Sequence, residues 1–213
     1  MKKKEVIVLG SGGHAKVVID ILHQMTDYKI IGVTSTNLTH GSLFQGYDVL
    51  GDDNVLPLYK QNGIKHVVMG IGGYRDNNLR RTLFQQIKSL GFEFVNVIHP
   101  QSILSETLKL GEGVTIFPGA IINTEVKIGD NVIIATGASV DHETIIENHV
   151  LVSAGVTIGA NSIIKESALL AIGSIVISGI TIGSNSLIAA GAVVVNDVRD
   201  NEKVFGLPAK SKH

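Results

Sequence analysis

The segment Ser139-Val140-Asp141-His142-Glu143 sets an imidazole between two carboxylates. A histidine near its ordinary pKa can take the proton from an amine or hydroxyl as that group attacks an acyl carbon, and a neighbouring carboxylate orients the ring and steadies its cation. Glu143 is read in that second role, with Asp141 as the other candidate. The competing reading of His142 is a solvated turn residue. A second cluster is Gly10-Ser11-Gly12-Gly13-His14-Ala15, which follows the aliphatic run from Glu5 to Leu9. It precedes Lys16 to Gln24, where Val17, Val18, Ile21 and Leu22 fall at helical spacing. Strand, glycine turn and helix together aim backbone amides at an anion such as a diphosphate. The pattern is close to the dinucleotide fingerprint, yet the second strand ends in Val33-Thr34-Ser35-Thr36 with no acid to hold an adenosine ribose, which argues against NAD. A pure packing role for the turn is the alternative.

The element that must position His142 is a repeat. Every sixth residue from Ile98 to Val194 is Ile, Leu or Val, across 17 hexads without interruption. That period is neither the 2 of a strand nor the 3.6 of a helix, and a fixed repeat outranks local propensity. Counting the aliphatic as position one, position five is always small or aliphatic, from Ser102 to Val198, which suits a second inward site. Position four is mostly Gly, Asn or Asp, the residues that tolerate turns and positive φ. Each hexad therefore reads as one flat side and one corner. His142 and Glu143 fall at positions three and four, on a corner and away from the packed interior.

Residues 1 to about 95 differ. Strands are expected at Glu5–Leu9, Lys29–Val33, His66–Gly70 and Phe94–Ile98, and helices at Lys16–Gln24, Asn54–Gln61 and Asp76–Leu90. This alternation implies a small parallel sheet with helices on its faces. The expected organisation is a Rossmann-like αβ domain over 1–97 and a β domain over 98–213 whose tail, Val204 to Lys210, leaves the repeat.

Composition narrows the function classes. With 18 Lys and Arg against 19 Asp and Glu, the chain lacks the basic surplus that nucleic acid or an anionic membrane would call for. No cysteine is present, so there is no disulfide, thiolate metal site or cysteine nucleophile, which fits a cytoplasmic protein. The apolar stretch after Met1-Lys2-Lys3-Lys4 is too short for a signal peptide. The most apolar later stretch, Ala168 to Ile182, is punctuated by Gly and Ser and falls short of the roughly 20 residues of a spanning helix.

A hexapeptide repeat this long, combined with Gly10-Ser11-Gly12-Gly13-His14-Ala15-Lys16-Val17-Val18, the Ser139–Glu143 segment and the ending Phe205-Gly206-Leu207-Pro208-Ala209-Lys210, resembles the hexapeptide-repeat sugar O- and N-acetyltransferases. That family includes the sialic-acid O-acetyltransferase and bacterial N-acetyltransferases of nucleotide-linked 4-amino sugars. The resemblance covers nearly the whole chain. It implies an αβ domain followed by a left-handed parallel β-helix of between five and six coils, a homotrimer, and acetyl-CoA bound between neighbouring subunits. Apolar outward residues such as Ala135, Ala171, Ile177, Ala189 and Val195 give a physical reason for trimerisation. The family pattern makes His142 the general base. For the acetyl-CoA so implied, the small residues Gly155, Ala171, Gly173, Ala189, Ala190 and Gly191 leave clearance for a pantetheine arm along the coils after His142, with Lys210 approaching the CoA phosphates; for each of them singly, a small residue required by the corner is the other reading. The family pattern gives the first domain to the nucleotide of the acceptor, with Gly12, Gly13 and His14 at the phosphates and Gly72, Gly73 and Arg75 on the same rim. Thr34 and Ser35 stand where many members carry an acidic pair that contacts the base. The family's second histidine, nine residues after the first, is Leu151 here, and its frequent Asn seven residues before the base is Ala135; His149 is the nearest substitute for the missing histidine, with a surface turn as its other reading.

The expected activity is acetyl-CoA-dependent N-acetylation of a nucleotide-linked amino sugar, a 4-amino-deoxy sugar by resemblance, serving surface glycan synthesis. O-acetylation of a sugar or sialic acid and a non-catalytic trimeric scaffold are the alternatives. A zinc site between subunits would need several converging histidines; His142 and His149 fall on different corners and His99 lies well below them, so no metal is expected.

Overall fold

The computed structural model describes residues 3–73 and 77–211. Strands β1 (Lys4–Leu9), β2 (Tyr28–Val33), β5 (His66–Met69) and β6 (Glu93–Phe94) form a parallel sheet in the order β2-β1-β5-β6, with the hairpin strands β3 (Leu43–Phe44) and β4 (Tyr47–Asp48) apart from it. β1 is aliphatic at successive positions because both faces are covered. Val6 and Val8 pack on one side with Ala15, Val18 and Leu22 of helix α1 (Gly13–Gln24). Ile7 and Leu9 pack on the other with Leu56 of helix α2 (Leu56–Gln61) and with Leu83, Phe84 and Ile87 of helix α3 (Asn78–Ser89). A single 3-10 turn, Asp53–Val55, takes up the start of the expected second helix.

The expected strand over Phe94–Ile98 is two elements. Phe94 closes the αβ sheet through β6, whereas Val97–Ile98 pairs in parallel with Thr115–Ile116 and is the first rung of the repeat. Asn96 between them bonds across coils, from its amide to the Gly111 carbonyl at 2.8 Å and from the Val114 amide to its carbonyl at 2.9 Å. These bonds bend the chain where an unbroken aliphatic pattern hides the change.

The repeat winds into a three-faced parallel β-helix. Short strands stack into three sheets of eight, six and five strands, and from Val97 to Val194 every rung is displaced by three hexads from the next, as in Ile133↔Leu151 and Leu151↔Leu169. Positions one and five point inward as expected. Ile116, Ile134, Val152, Leu170 and Ile188 are sealed on one ladder, and Val114, Ala138, Val156, Ala168 and Ala192 fill the corners. Each sealed aliphatic contributes about 1.5–3 kcal/mol, but only when neighbouring coils cover it. At the far end Lys203–Phe205 pairs with Leu187–Ile188, and Lys210–Ser211 folds back antiparallel on it, taking the tail out of the repeat.

The two parts share a seam. α3 lies against the corner of Asn131, His149 and Ser167 through Arg80, Phe84 and Arg81, and beside that corner the outward Ile133, Leu151 and Leu169 of the first face are buried against one another. Arg80, fully buried, donates to the carbonyls of Ile71, Gly113 and Asn131. Among the described residues no helix is long and apolar enough to cross a membrane.

Candidate active site

The three corners of the prism differ in chemistry. Position four takes positive φ at all of them, but between the first and second faces it is Gly five times over, at Gly119, Gly137, Gly155, Gly173 and Gly191, with φ between 65° and 72°. The next corner carries Glu125, Glu143, Asn161 and Gly179, and the third carries Gly113, Asn131, His149, Ser167 and Asn185, all with left-handed φ. His142 and Glu143 therefore sit on one corner, and the expected acetyl-CoA residues Gly155, Ala171, Gly173, Ala190 and Gly191 line another.

His142 is held by local chemistry. Its Nδ1 lies 3.0 Å from Glu143 Oε2, and the imidazole is just under half exposed. Glu143 faces the ring because its backbone turns through φ 58° at the corner, with its amide fixed on the Thr124 carbonyl. The alternative partner, Asp141, is otherwise engaged. Its Oδ1 accepts from the His142 amide at 2.8 Å and from Asn123 Nδ2 at 3.0 Å. In the tautomer whose Nδ1 donates to Glu143, Nε2 is left as the acceptor of the ring.

His149 is in neither place expected of it. It is buried at the seam, edge-on to Phe84 at 5.5 Å, with its Nδ1 3.0 Å from Asn131 Nδ2. Asn77 Nδ2 donates to its carbonyl at 2.9 Å. Burial lowers its pKa, with Arg81 and Arg80 adding to the fall against Glu166 and Asp130. Nothing about its hexad position announces this; the cause is α3, which covers this corner and not the other two.

At the glycine corner side chains vanish. Nothing lies within 4 Å of a Cβ built on Gly155, Gly173 or Gly191. The amides of these three glycines are nonetheless taken, by the carbonyls of Thr136, Ala154 and Ile172 one coil below. Any backbone donor for a ligand is therefore the preceding amide, at position three. At the other corners several position-three amides are capped by side chains, as Asp141 caps His142, Asn123 caps Thr124 and Asp130 caps Glu112. Here position two is Ser153, Ala171 or Ala189, and among the described residues the amides of Ala154, Ile172 and Ala190 have no such cap. Lys210 is exposed on the terminal strand at the same end of the prism.

Two clefts meet at the N-terminus of α1. Gly12 caps that helix with no side-chain acceptor, and its first turn holds no acid, so its amides are open to an anion. One cleft, of about 210 Å³, is lined by Gly10, Ser11, Gly12, Thr34, Ser35, Thr36, Asn37, Asp53 and Ile71. The other, of about 330 Å³, lies between the domains and is lined by Gly13, His14, Gly72, Gly73, Phe117, Ala135, Leu151, Ser153, Ala154 and Ile172. The loop after β5 is closely packed there: a Cβ on Gly72 would stand 3.1 Å from His14 Cβ, and one on Gly73 would stand 2.9 Å from Leu151 Cδ2. His14 stacks on Phe117 at 5.4 Å with its Nε2 sealed and unpartnered. Burial, then the charge of Arg80, holds its pKa at about 3, so the ring is neutral at neutral pH. Arg75 lies outside the described residues.

The structure also corrects the reading of the second strand's end. An acid does stand there, brought from later in the chain: Thr34 Oγ1 donates to Asp53 Oδ1 at 2.6 Å. No spacing rule for the first fifty residues would locate it, since the loop that carries it returns to β2 through tertiary bonds. Among the described residues no group of three or more His, Asp or Glu is placed to hold a metal ion.

Comparison with known proteins agrees with this architecture. The family model described as PglD N-terminal domain matches residues 5–87, and that of the bacterial transferase hexapeptide (six repeats) matches 107–142. The crystal structure of a mutant GDP-perosamine N-acetyltransferase from Caulobacter crescentus, in complex with CoA and GDP-perosamine, is 36% identical, with a TM-score of 0.92 over 98% of this chain and 97% of that one. The acetyltransferase domain of PglB from Neisseria gonorrhoeae, in complex with acetyl coenzyme A, is 28% identical with a TM-score of 0.89, over 99% of this chain and 100% of that one. The UDP-N-acetylbacillosamine N-acetyltransferase of Bacillus subtilis is 28% identical over 113 residues, 53% of this chain; the chain spans about half the length of that relative, 51%, in the match. By a relative above 30% identity matched over nearly its whole length, and by the αβ domain and β-helix that both share, the chain belongs to the hexapeptide-repeat family of acetyl-CoA-dependent N-acetyltransferases.

Proposed function

We propose that the protein transfers the acetyl group of acetyl-CoA to the amine of a nucleotide-linked amino sugar, a 4-amino-deoxy sugar destined for a surface glycan. The observation that carries this reading is the order of the two clefts around the α1 N-terminus. A nucleoside, a diphosphate and a sugar follow one another in such an acceptor in that same order. The nucleoside takes the cleft of Thr34 and Asp53, the diphosphate takes the open amides of Gly12, Gly13 and His14, and the sugar takes the interdomain cleft beside Gly72 and Gly73. That second cleft runs into the glycine corner at Ala154 and Ile172, where the uncapped amides suit the carbonyls of a pantetheine arm. The relatives crystallised with CoA and GDP-perosamine, or with acetyl coenzyme A, support the same pair of substrates.

In this reading His142 Nε2 takes a proton from the sugar amine as nitrogen attacks the thioester carbonyl. The C–N bond forms, the tetrahedral intermediate collapses, the C–S bond breaks, and the imidazolium returns its proton to the departing thiolate. Glu143, bonded to Nδ1, steadies the cation in between. His142 and the glycine corner lie on different corners of one prism, so a single chain does not bring base and cleft together. A homotrimer that sets the histidine corner of one copy against the glycine corner of the next does so. Such packing also covers outward Ile103, Ile121, Ile172 and Ile175, which one chain leaves exposed.

The test is CoA thiol release with acetyl-CoA and a panel of free and nucleotide-linked sugars. Release that requires a nucleotide-linked amine is expected. Release only with sugar hydroxyls moves the assignment to O-acetylation, and tight acetyl-CoA binding without transfer to any acceptor leaves a scaffold.

A further inference from the structure

We infer that Asp53 selects the sugar of the nucleotide: its carboxylate accepts the hydroxyl donors of a ribose cis-diol, so the acceptor is a ribonucleoside diphosphate derivative and not a 2′-deoxy one. The inference rests on the proposed nucleotide-linked acceptor and names which part of it this cleft reads.

The loop carrying Asp53 is fastened to the end of β2. Leu50 N donates to the Val33 carbonyl at 2.9 Å and Ser35 N to the Gly51 carbonyl at 2.8 Å, with Val33 and Val49 forming a parallel bridge. Gly51 makes the turn at φ 123°, where a Cβ would stand 2.7 Å from Val55 Cγ1. Two consecutive acids then divide the work. Asp52 caps the 3-10 turn, accepting from the Asn54 amide and from Asn54 Nδ2, each at 3.0 Å. Asp53 is left facing the cleft, where Thr34 Oγ1 is its hydrogen-bond donor at 2.6 Å. None of the ion pairs among the described residues includes it.

Thr34 sets the distance to the phosphates. Its Oγ1 accepts from the Gly10 amide at 3.2 Å while donating to Asp53, so the carboxylate stands within about 6 Å of the first residue of the glycine turn. The group attached directly to the phosphates is the ribose; the base edge lies on its far side. An ionised carboxylate offers acceptors only, and with one Oδ1 lone pair used by Thr34 it still presents enough for two hydroxyl donors. An acid at the end of the second strand of a βαβ unit is where a ribose diol is held in dinucleotide folds. Here the same place is reached from a different loop.

The experiment is titration calorimetry of the full chain with GDP, 2′-deoxy-GDP, UDP and 2′-deoxy-UDP, for the native protein and for Asp53→Asn. Charge-assisted bonds of this kind are worth about tenfold to a hundredfold in affinity. Each ribonucleotide should bind native protein at least about tenfold more tightly than its deoxy counterpart, and Asp53→Asn should bring that ratio to within about threefold by weakening the ribonucleotides alone. Equal affinity of native protein for ribo and deoxy forms overturns the inference and leaves the proposed acceptor standing. So does a ratio unchanged by Asp53→Asn, or a discrimination between GDP and UDP with no effect of the 2′-hydroxyl. Binding of no nucleotide at all removes the proposed acceptor and this inference together. The native ribo-to-deoxy ratio decides the question even if the variant fails to fold.

Discussion

Arg80 and Asn131, 51 positions apart, are joined twice: the Arg80 Nε donates to the Asn131 carbonyl at 3.4 Å, and Asn131 Nδ2 donates to the Arg80 carbonyl at 3.5 Å. A residue of α3 and a corner of the β-helix thus fix one another's backbones in the seam between the two parts of the chain. Burial pulls the guanidinium down to about 9, and it remains charged at neutral pH with carbonyls for partners. Arg80→Met should cost about 2–4 kcal/mol, because the carbonyls of Ile71, Gly113 and Asn131 lose their donor. Urea denaturation measures it; a change below about 0.5 kcal/mol would show the seam to be held by apolar packing alone.

The catalytic assignment separates two residues. His142→Ala should lower kcat about a hundredfold to ten-thousandfold with acetyl-CoA affinity unchanged. Glu143→Gln keeps the shape but replaces a charge-assisted bond by a neutral one, so a loss on the order of tenfold is expected. Steady-state kinetics with a nucleotide-linked amine reads both. Full activity in His142→Ala would exclude it as the base.

At the glycine corner Gly173→Asn is the informative change. Asn tolerates the left-handed φ of 65°, and its side chain enters open space. Folding should be preserved within about 1 kcal/mol, while the KM for acetyl-CoA rises about tenfold through lost clearance along the column. An unchanged KM would place the acyl carrier elsewhere.

His14 gives the fold a pH dependence with a definite sign. Its folded pKa is about 3 against 6.5 in the unfolded chain, so the unfolded state binds the extra proton between those values. The contribution to stability is whole above pH 6.5 and declines progressively as the pH falls towards 3, a loss of about 2 kcal/mol by pH 5. His149, also lowered, adds in the same direction. Urea midpoints at pH 8 and pH 5 should show His14→Gln losing less than the native chain. Equal losses would mean the ring is protonated at little cost.

What could be read in advance was whatever repeats. Position one and position five face inward from end to end, and His142 with Glu143 stands on its corner, because a period of six determines direction without knowledge of neighbours. The features that needed the structure all depend on one part of the chain lying on another. His149 has the same corner chemistry as an exposed turn until α3 covers it. Asp53 looks like a loop acid until the bonds from Leu50 and Ser35 deliver it to Thr34. Val97 and Ile98 look like the end of an αβ strand until Asn96 turns them into the first coil.

The three-hexad register also acts as an angular scale, in which six residues equal a third of a turn. Deleting one hexad between His142 and Gly155 would leave every inward aliphatic inward, yet rotate all the coils above by one face. The glycine column would then break, with its upper half shifted onto a neighbouring corner and its lower half left in place. A chain altered in this way keeps its core while losing the alignment of its site, so lengthening or shortening this protein without loss of function proceeds by whole coils of 18 residues.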